Sequence, residues 1–140
     1  MKQFIYPYFM FKNTREAADY YKKIFKGEIA YIMLGKDMPN CPEDQLENVM
    51  HLQFNFNGNT IYMADEDSLK GDHIRIHLDY DDKDELIRVF EEFRPNSIIL
   101  EDLEEKFWGA LLGTIKDKYG VTWQFHYVIP QHSEEVKKNL

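Results

Sequence analysis

Along the chain, apolar residues are spaced as in strands in some segments and as in helices in others. These two patterns predict the secondary-structure elements. Residues 4–11 are rich in aromatic side chains, which favours a strand, and Pro7 suits a strand start or an edge position. Asn13 then precedes a segment whose apolar residues recur at helical spacing and which ends at Gly27. Further strands are predicted at residues 28–34, 49–57 and 60–64, with an acidic loop at 35–47 and a hairpin turn at 57–59.

The same order of elements begins again in the second half of the chain. Residues 73–80 alternate charged and apolar side chains, which is typical of a half-buried strand. Asp82 then caps a helical pattern that Pro95 ends. Strands are predicted at residues 97–103, about 110–116, and 121–128. The polar residues after Pro130 predict a short helix or a frayed end.

An internal repeat relates the two halves. In one block, an alignment without a gap matches Phe11 with Tyr80, Asn13 with Asp82, Glu16 with Glu85 and Tyr21 with Phe90. In a second block, residues 58–63 align with residues 120–125. Any two α/β segments share caps and apolar faces, but two matched blocks in the same order favour a true repeat. We therefore expect one domain at residues 1–130, made of two βαβββ repeats at about 4–66 and 73–128, followed by a polar tail at 131–140.

Composition narrows the class of protein. The 140 residues carry 17 Lys and Arg against 25 Asp and Glu, and the net charge of −8 without a basic run argues against nucleic acid or an anionic membrane as a partner. The 44% of apolar residues excludes global disorder, and the longest uncharged apolar stretch is too short to span a bilayer. A single cysteine, Cys41, and an N-terminus without a signal-peptide pattern predict a cytoplasmic location.

Several motifs connect this repeat with a known family. They are Pro7-Tyr8, the block from Arg15 to Tyr21, Met50-His51-Leu52, Met63-Ala64-Asp65, and Trp108-Gly109 followed by Gly113, Asp117, Gly120 and Trp123. With them the chain resembles the PhnB-like branch of the vicinal oxygen chelate (glyoxalase/bleomycin resistance/dioxygenase) superfamily over about residues 6–125. The resemblance implies an α+β fold in which two βαβββ modules form a curved, mixed eight-stranded sheet around a cavity, with helices outside. It also implies a homodimer.

Enzymes of this superfamily hold a divalent metal ion with side chains of the first and last strands of each module. The resemblance and the repeat together place Tyr6, Tyr62, Arg75 and Gln124 at those positions. Neutral tyrosine is a poor ligand and arginine is a fixed cation, so these four residues do not suit a metal ion. We therefore predict no metal there and no cofactor, although His51, His77 and His126 leave a displaced metal site open.

The remaining side chains predict a pocket for a small molecule. Arginine donates two parallel hydrogen bonds to a carboxylate or phosphonate, and aromatic rings supply apolar area, so the set suits a small organic anion. The alternative is that Arg75 pairs with Asp79 or another acid while the tyrosines fill the barrel. The predicted ligand-binding residues are Tyr6, Tyr8, Tyr62, Arg75, His77, Trp108 and Gln124.

Other chemistry is less favoured by the sequence. His73, His77 and Asp79 share one strand face, an arrangement that suits a base and its orienting group but is more often a solvated or dimer-facing side. His51 and His126 are interpreted as ordinary strand residues. PhnB-like sequences have been labelled ubiquinone-pathway methyltransferases, but the chain has no glycine-rich loop after a strand for S-adenosylmethionine.

Three functions therefore remain open. The favoured one is a dimeric protein that binds a small, anionic organic molecule in its cavity without the superfamily metal. The second is a metal-dependent lyase, dioxygenase or transferase with displaced ligands. The third is a structural or regulatory dimer whose own side chains fill the cavity. The sequence does not decide whether any reaction is catalysed.

Overall fold

The computed structural model describes residues 1–67 and 71–130, so the predicted polar tail at 131–140 lies outside the described residues. The described residues divide into two compact units, and each follows the order β-α-β-β-β. Each unit contains one mixed four-stranded sheet and one helix. The predicted α+β class and its two βαβββ modules are confirmed.

Within each unit, the first and last strands lie side by side. The first sheet has the order β1-β4-β3-β2 and the second has the order β5-β8-β7-β6. The first unit consists of β1 (Tyr8–Phe11), α1 (Thr14–Phe25), β2 (Glu28–Leu34), β3 (Val49–Phe56) and β4 (Asn59–Asp65). The second consists of β5 (Ile76–Tyr80), α2 (Lys83–Phe93), β6 (Ile98–Lys106), β7 (Ala110–Lys116) and β8 (Thr122–Val128).

Helix α1 begins and ends close to the predicted residues. The Asn13 side chain accepts a hydrogen bond from the backbone N–H of Glu16 at 3.2 Å, which satisfies one donor of the first turn. At the other end of the helix, the residue in the left-handed conformation is Lys26 (φ 55°) and not Gly27. Glycine is needed at position 27 for a different reason, which is that a side chain has no room there. A Cβ atom on Gly27 would lie 2.6 Å from the carbonyl oxygen of Asn55, so this position accepts no side chain without a shift.

Helix α2 covers one face of the second sheet. The Asp82 side chain accepts from the backbone N–H groups of Asp84 and Glu85 at 3.0 and 3.2 Å, as its predicted capping role requires. The predicted apolar face (Leu86, Val89, Phe90 and Phe93) is buried, and its rings pack on Trp123 and Phe125 of β8. Neither helix in the described part of the chain has the length and apolar character needed to cross a membrane.

Two strands begin later than predicted. β1 begins at Tyr8 rather than at residue 4, and β5 begins at Ile76 rather than at residue 73. The partner strands extend further, because β4 begins at Asn59 and β8 at Thr122. Pro7, directly before β1, has no backbone N–H to donate to the ladder. An apolar pattern marks residues that fit a strand, but it does not show where the ladder of backbone hydrogen bonds begins.

The parallel register is the same in both units. Tyr8 lies opposite Tyr62 in the first unit, and His77 lies opposite Gln124 in the second. The two aligned sequence blocks place Tyr8 on His77 and Tyr62 on Gln124, so the repeat predicts this correspondence correctly. As a result, side chains of the first and last strands are neighbours on one sheet face in each unit.

Asp117 organises the turn between β7 and β8. It is 4% exposed, and its carboxylate accepts from the indole N–H of Trp123 at 2.8 Å and from the backbone N–H groups of Tyr119 and Val121 at 2.9 and 3.0 Å. Gly120, in the same turn, has a φ of 88°, a conformation that favours glycine. These contacts give a physical reason for the Asp117, Gly120 and Trp123 spacing in the sequence.

We expect Asp117→Ala to lower the free energy of unfolding by about 3 kcal/mol, because it leaves a buried indole N–H without its acceptor. Asp117→Asn keeps an oxygen for the two backbone donors and should cost less. The exposed Asp72→Ala is the control and should lie within about 0.5 kcal/mol of the parent chain. Urea unfolding followed by tryptophan fluorescence measures all three, and equal stability of Asp117→Ala and the control would contradict this role.

Candidate ligand-binding site

The two faces of the second sheet differ in chemistry. On β8, Trp123 and Phe125 are fully buried beneath α2, and the alternating residues Gln124 and His126 point to the opposite face. On β5, His77 and Asp79 lie on this same face and are exposed. The sheet therefore separates an aromatic core from a polar face.

A continuous chain of hydrogen bonds crosses the polar face. Arg75 Nη1 donates to Gln124 Oε1 at 3.2 Å, and Gln124 Nε2 lies 3.0 Å from His77 Nδ1. His77 Nε2 lies 3.0 Å from Asp79 Oδ1, and His126 Nδ1 lies 2.6 Å from the same oxygen. We call these five residues, Arg75, Gln124, His77, Asp79 and His126, the polar chain.

Donor and acceptor types assign the protons of the polar chain. An ionised carboxylate only accepts, so the ring nitrogens that face Asp79, His77 Nε2 and His126 Nδ1, carry protons. A neutral His77 ring then accepts at Nδ1, where Gln124 supplies an amide N–H. The Gln124 oxygen is left to accept from Arg75, so every donor in the chain meets an acceptor.

Asp79 is held in its ionised form by its two histidine neighbours. Burial alone would raise the pKa of Asp79, but hydrogen bonds from His126 and His77 outweigh it, so the net effect lowers the pKa below its ordinary value. A carboxylate with a lowered pKa remains charged at neutral pH. Asp79 is therefore a fixed negative charge near one end of the polar chain, between the two histidines.

Arg75 lies at the other end of the polar chain and contacts a neutral group. Its side chain is exposed, and the hydrogen bond recorded for it goes to the Gln124 amide. Among the residues that the structure describes, no carboxylate forms an ion pair with Arg75, and the Asp79 oxygen is engaged by histidines instead. The alternative in which Arg75 pairs with Asp79 does not match this geometry.

The equivalent face of the first unit is aromatic. The ring of Tyr62 lies 4.9 Å from Tyr6, 5.7 Å from Tyr8 and 4.8 Å from His51. The hydroxyl of Tyr8 lies 2.8 Å from His51 Nδ1. Burial, and then the charge of Glu66, raises the pKa of Tyr8, so its hydroxyl stays protonated at neutral pH. The three predicted tyrosines thus lie together, with His51 as a fourth ring.

Trp108 lies apart from the polar chain. It is in the turn between β6 and β7, where its ring packs against Phe107 at 5.0 Å. This turn follows the point where Ala110 pairs with Val128, and Val128 lies roughly 13 Å along β8 from Gln124. The structure therefore brings Arg75, His77 and Gln124 together and leaves Trp108 at the far end of the strand, where its role in binding stays a prediction.

Two histidines gain contacts that the sequence interpretation did not assign, and Asp79 makes a contact with His77 that it considered but did not favour. Asp79 and His126 join the polar chain, and His51 bonds to Tyr8. A strand pattern alone treats such residues as ordinary members of an exposed face. The repeat gives a partial signal for the first two, because it requires Asp79 to lie opposite His126 if Met10 lies opposite Ala64.

Comparison with known proteins gives a family match. Residues 3–126 match the family described as 3-demethylubiquinone-9 3-methyltransferase. Protein YjdN of Escherichia coli K12 is 27% identical over 145 residues, covering 91% of this chain and 97% of that protein.

Solved structures show the same fold. The PhnB protein of Bacillus cereus is 23% identical, with a TM-score of 0.73 over 90% of this chain and 100% of that one. A glyoxalase/bleomycin resistance protein/dioxygenase family enzyme of Burkholderia phytofirmans is 8% identical, with a TM-score of 0.64 over 89% of this chain and 97% of that one. At these identities the likeness shows the fold alone.

We expect the two histidines of the polar chain to adopt opposite tautomers at about pH 8, where free imidazole is neutral. His77 should carry its proton on Nε2 and His126 on Nδ1, because both face the Asp79 carboxylate. Imidazole ¹⁵N NMR shifts of chelator-treated protein report this directly. Gln124→Leu removes the donor to His77 Nδ1 and should raise the Nδ1–H population of His77 while leaving His126 unchanged. Identical tautomers in the parent chain would contradict the assignment.

Proposed function

We propose a function for this chain from the premise that it belongs to the family described as 3-demethylubiquinone-9 3-methyltransferase, the PhnB-like branch of the vicinal oxygen chelate superfamily. The chain binds a small organic anion that carries a carboxylate or phosphonate group. Arg75 anchors the anion, and the binding needs no metal ion at Tyr6, Tyr62, Arg75 or Gln124.

The observation that carries this proposal is the partner of Arg75. Arginine is a cation with five N–H donors, and the hydrogen bond of Arg75 uses one of them on a neutral amide. A carboxylate or phosphonate accepts two parallel donors from such a fork, and this charged pair is stronger than a bond to an amide. An incoming anion therefore gains more than it displaces.

Gln124 holds the anchor in position. Its amide is fixed at both ends, by Arg75 on the oxygen and by His77 on the nitrogen. A guanidinium that is already ordered loses less side-chain freedom when an anion binds. The contacts of Tyr6, Tyr8 and Tyr62 with a ligand stay a prediction, supported by the aromatic cluster that they form within the first unit.

The methyltransferase activity in the family description is not part of this proposal. Binding of S-adenosylmethionine by a glycine-rich loop needs that loop between a parallel strand and the following helix. In the described chain, β1 is followed by Lys12-Asn13 and β5 by Asp81-Asp82, and neither connection contains glycine. The homodimer, the cytoplasmic location and the absence of nucleic-acid and membrane partners also stay predictions.

We expect Arg75→Gln to weaken binding of phosphonoacetate, a small probe with both anionic groups, by about 10- to 100-fold, since one charge-assisted contact is lost. Chemical-shift titration of the backbone amides in chelator-treated protein measures the dissociation constant and locates the binding site.

Two controls make this test specific. Arg15→Gln removes another exposed arginine, one that pairs with Asp19 at 3.5 Å in α1, and should leave the affinity unchanged. Acetamide, a neutral probe, should not shift the amides around Arg75. Equal affinity of the Arg75→Gln and Arg15→Gln variants, or shifts confined to other strands, would reject the anchor role.

A further inference from the structure

Two imidazoles and a carboxylate converge on the polar face of the second sheet. One ligating atom each from His77, Asp79 and His126 lies within 4.8 Å of the other two. The two nitrogens approach the same Asp79 oxygen, at 3.0 Å from His77 and 2.6 Å from His126. We call these three residues the His-Asp-His group.

The backbone fixes this convergence. Asp79 and His126 are direct partners in the parallel ladder between β5 and β8, and His77 is two residues earlier on the same face of β5. Neither strand shifts without breaking the register that buries Trp123 and Phe125. The group is therefore preformed, and adjustment of its side chains is enough to admit a ligand.

The charge of Asp79 is balanced differently from that of other paired carboxylates in the same unit. Asp102 pairs with Arg94 at 2.6 Å and Glu85 pairs with Arg88, whereas the described partners of Asp79 are two histidines. In its neutral form an imidazole donates a hydrogen bond but supplies no positive charge. A cation bound at His77 Nε2 and His126 Nδ1 would supply that charge, and the proton of each neutral ring would move to its other nitrogen.

We propose that the His-Asp-His group binds one divalent cation of the zinc, cobalt or nickel class. Two imidazole nitrogens with one carboxylate are ligands that these ions accept, whereas calcium and magnesium prefer sites made of oxygen. Ligand bonds of about 2.1 Å set neighbouring ligand atoms about 3.0–3.4 Å apart. His77 Nε2 already lies 3.0 Å from the Asp79 oxygen, whereas His126 Nδ1, at 2.6 Å from that oxygen, must move outward when an ion binds. This group shares no residue with the four positions that the family resemblance implies.

The site is open to solvent, so the ion keeps positions for water or an anion. The side chains of His77 and Asp79 are 43% and 72% exposed, and that of His126 is 19% exposed. Three protein ligands with an open position are the arrangement of reactive rather than structural metal sites. This inference goes beyond anion binding by Arg75 and does not depend on it, since metal and anion are titrated separately.

Metal titration of untagged, chelator-treated full-length protein tests the inference. Calorimetry with Zn²⁺ should show one ion per chain, and Co²⁺ should give the visible absorption of a nitrogen- and oxygen-bound ion. His77→Gln, Asp79→Asn and His126→Gln should each weaken Zn²⁺ binding by at least about tenfold, since loss of a direct ligand costs no less than loss of a supporting contact. His73→Gln and Asp81→Asn, which change the same residue types outside the group, should bind as the parent does.

A second measurement uses the unmutated chain and avoids variants that fail to fold. Added Co²⁺ should shift or broaden the ring signals of His77 and His126 more strongly than that of His73. Absence of Zn²⁺ binding, or binding that all three substitutions leave intact, overturns the inference. Phosphonoacetate binding by the chelated protein would survive that outcome, so failure of the metal site and failure of the anion site are distinguishable.

Discussion

Parallel pairing between the first and last strands of each unit is the constraint on which the candidate site depends. It brings residues about fifty positions apart in sequence into direct opposition, His77 with Gln124 and Asp79 with His126. The pairing is held from the other face, where Trp123 and Phe125 are fully buried beneath α2. A slip of one residue would turn these rings to solvent and the polar side chains into the core, so packing of the aromatic face also fixes the polar face.

The polar chain keeps two opposite charges apart. Arg75 and Asp79 are four residues apart, and a direct ion pair would neutralise both. Instead, Gln124 and His77 lie between them, each donating in one direction and accepting in the other. The guanidinium remains available to an anion and the carboxylate remains available to a cation. A single substitution at Gln124 therefore disturbs the anchor and the tautomer of His77 together.

Much of this arrangement follows from the sequence, but not its hydrogen bonds. Helix caps at Asn13 and Asp82 and the buried faces of both helices follow from local patterns, because the signals lie within a few residues. The repeat predicts that the two units share one register, but not which residues lie opposite each other. Alternation along β5 does not show whether an exposed His77 or Asp79 meets solvent or a partner, since that depends on the strand beside it. His126 shows this limit, because only its position opposite Asp79 makes it more than an ordinary strand residue.

Comparison of the two units shows why the proposed chemistry belongs to the second. The first and last strands pair in the same register in both units. Each residue of the polar chain that lies on β5 or β8 therefore has an equivalent position on β1 or β4. Met10 lies opposite Ala64 where Asp79 lies opposite His126, and Tyr8 lies opposite Tyr62 where His77 lies opposite Gln124. Neither methionine nor alanine supplies the oxygen or nitrogen ligand that zinc-class ions need, so the first unit lacks two members of the ligand set at these positions. The fold thus offers the same frame twice, and side-chain chemistry alone assigns an aromatic surface to one unit and the charged groups to the other.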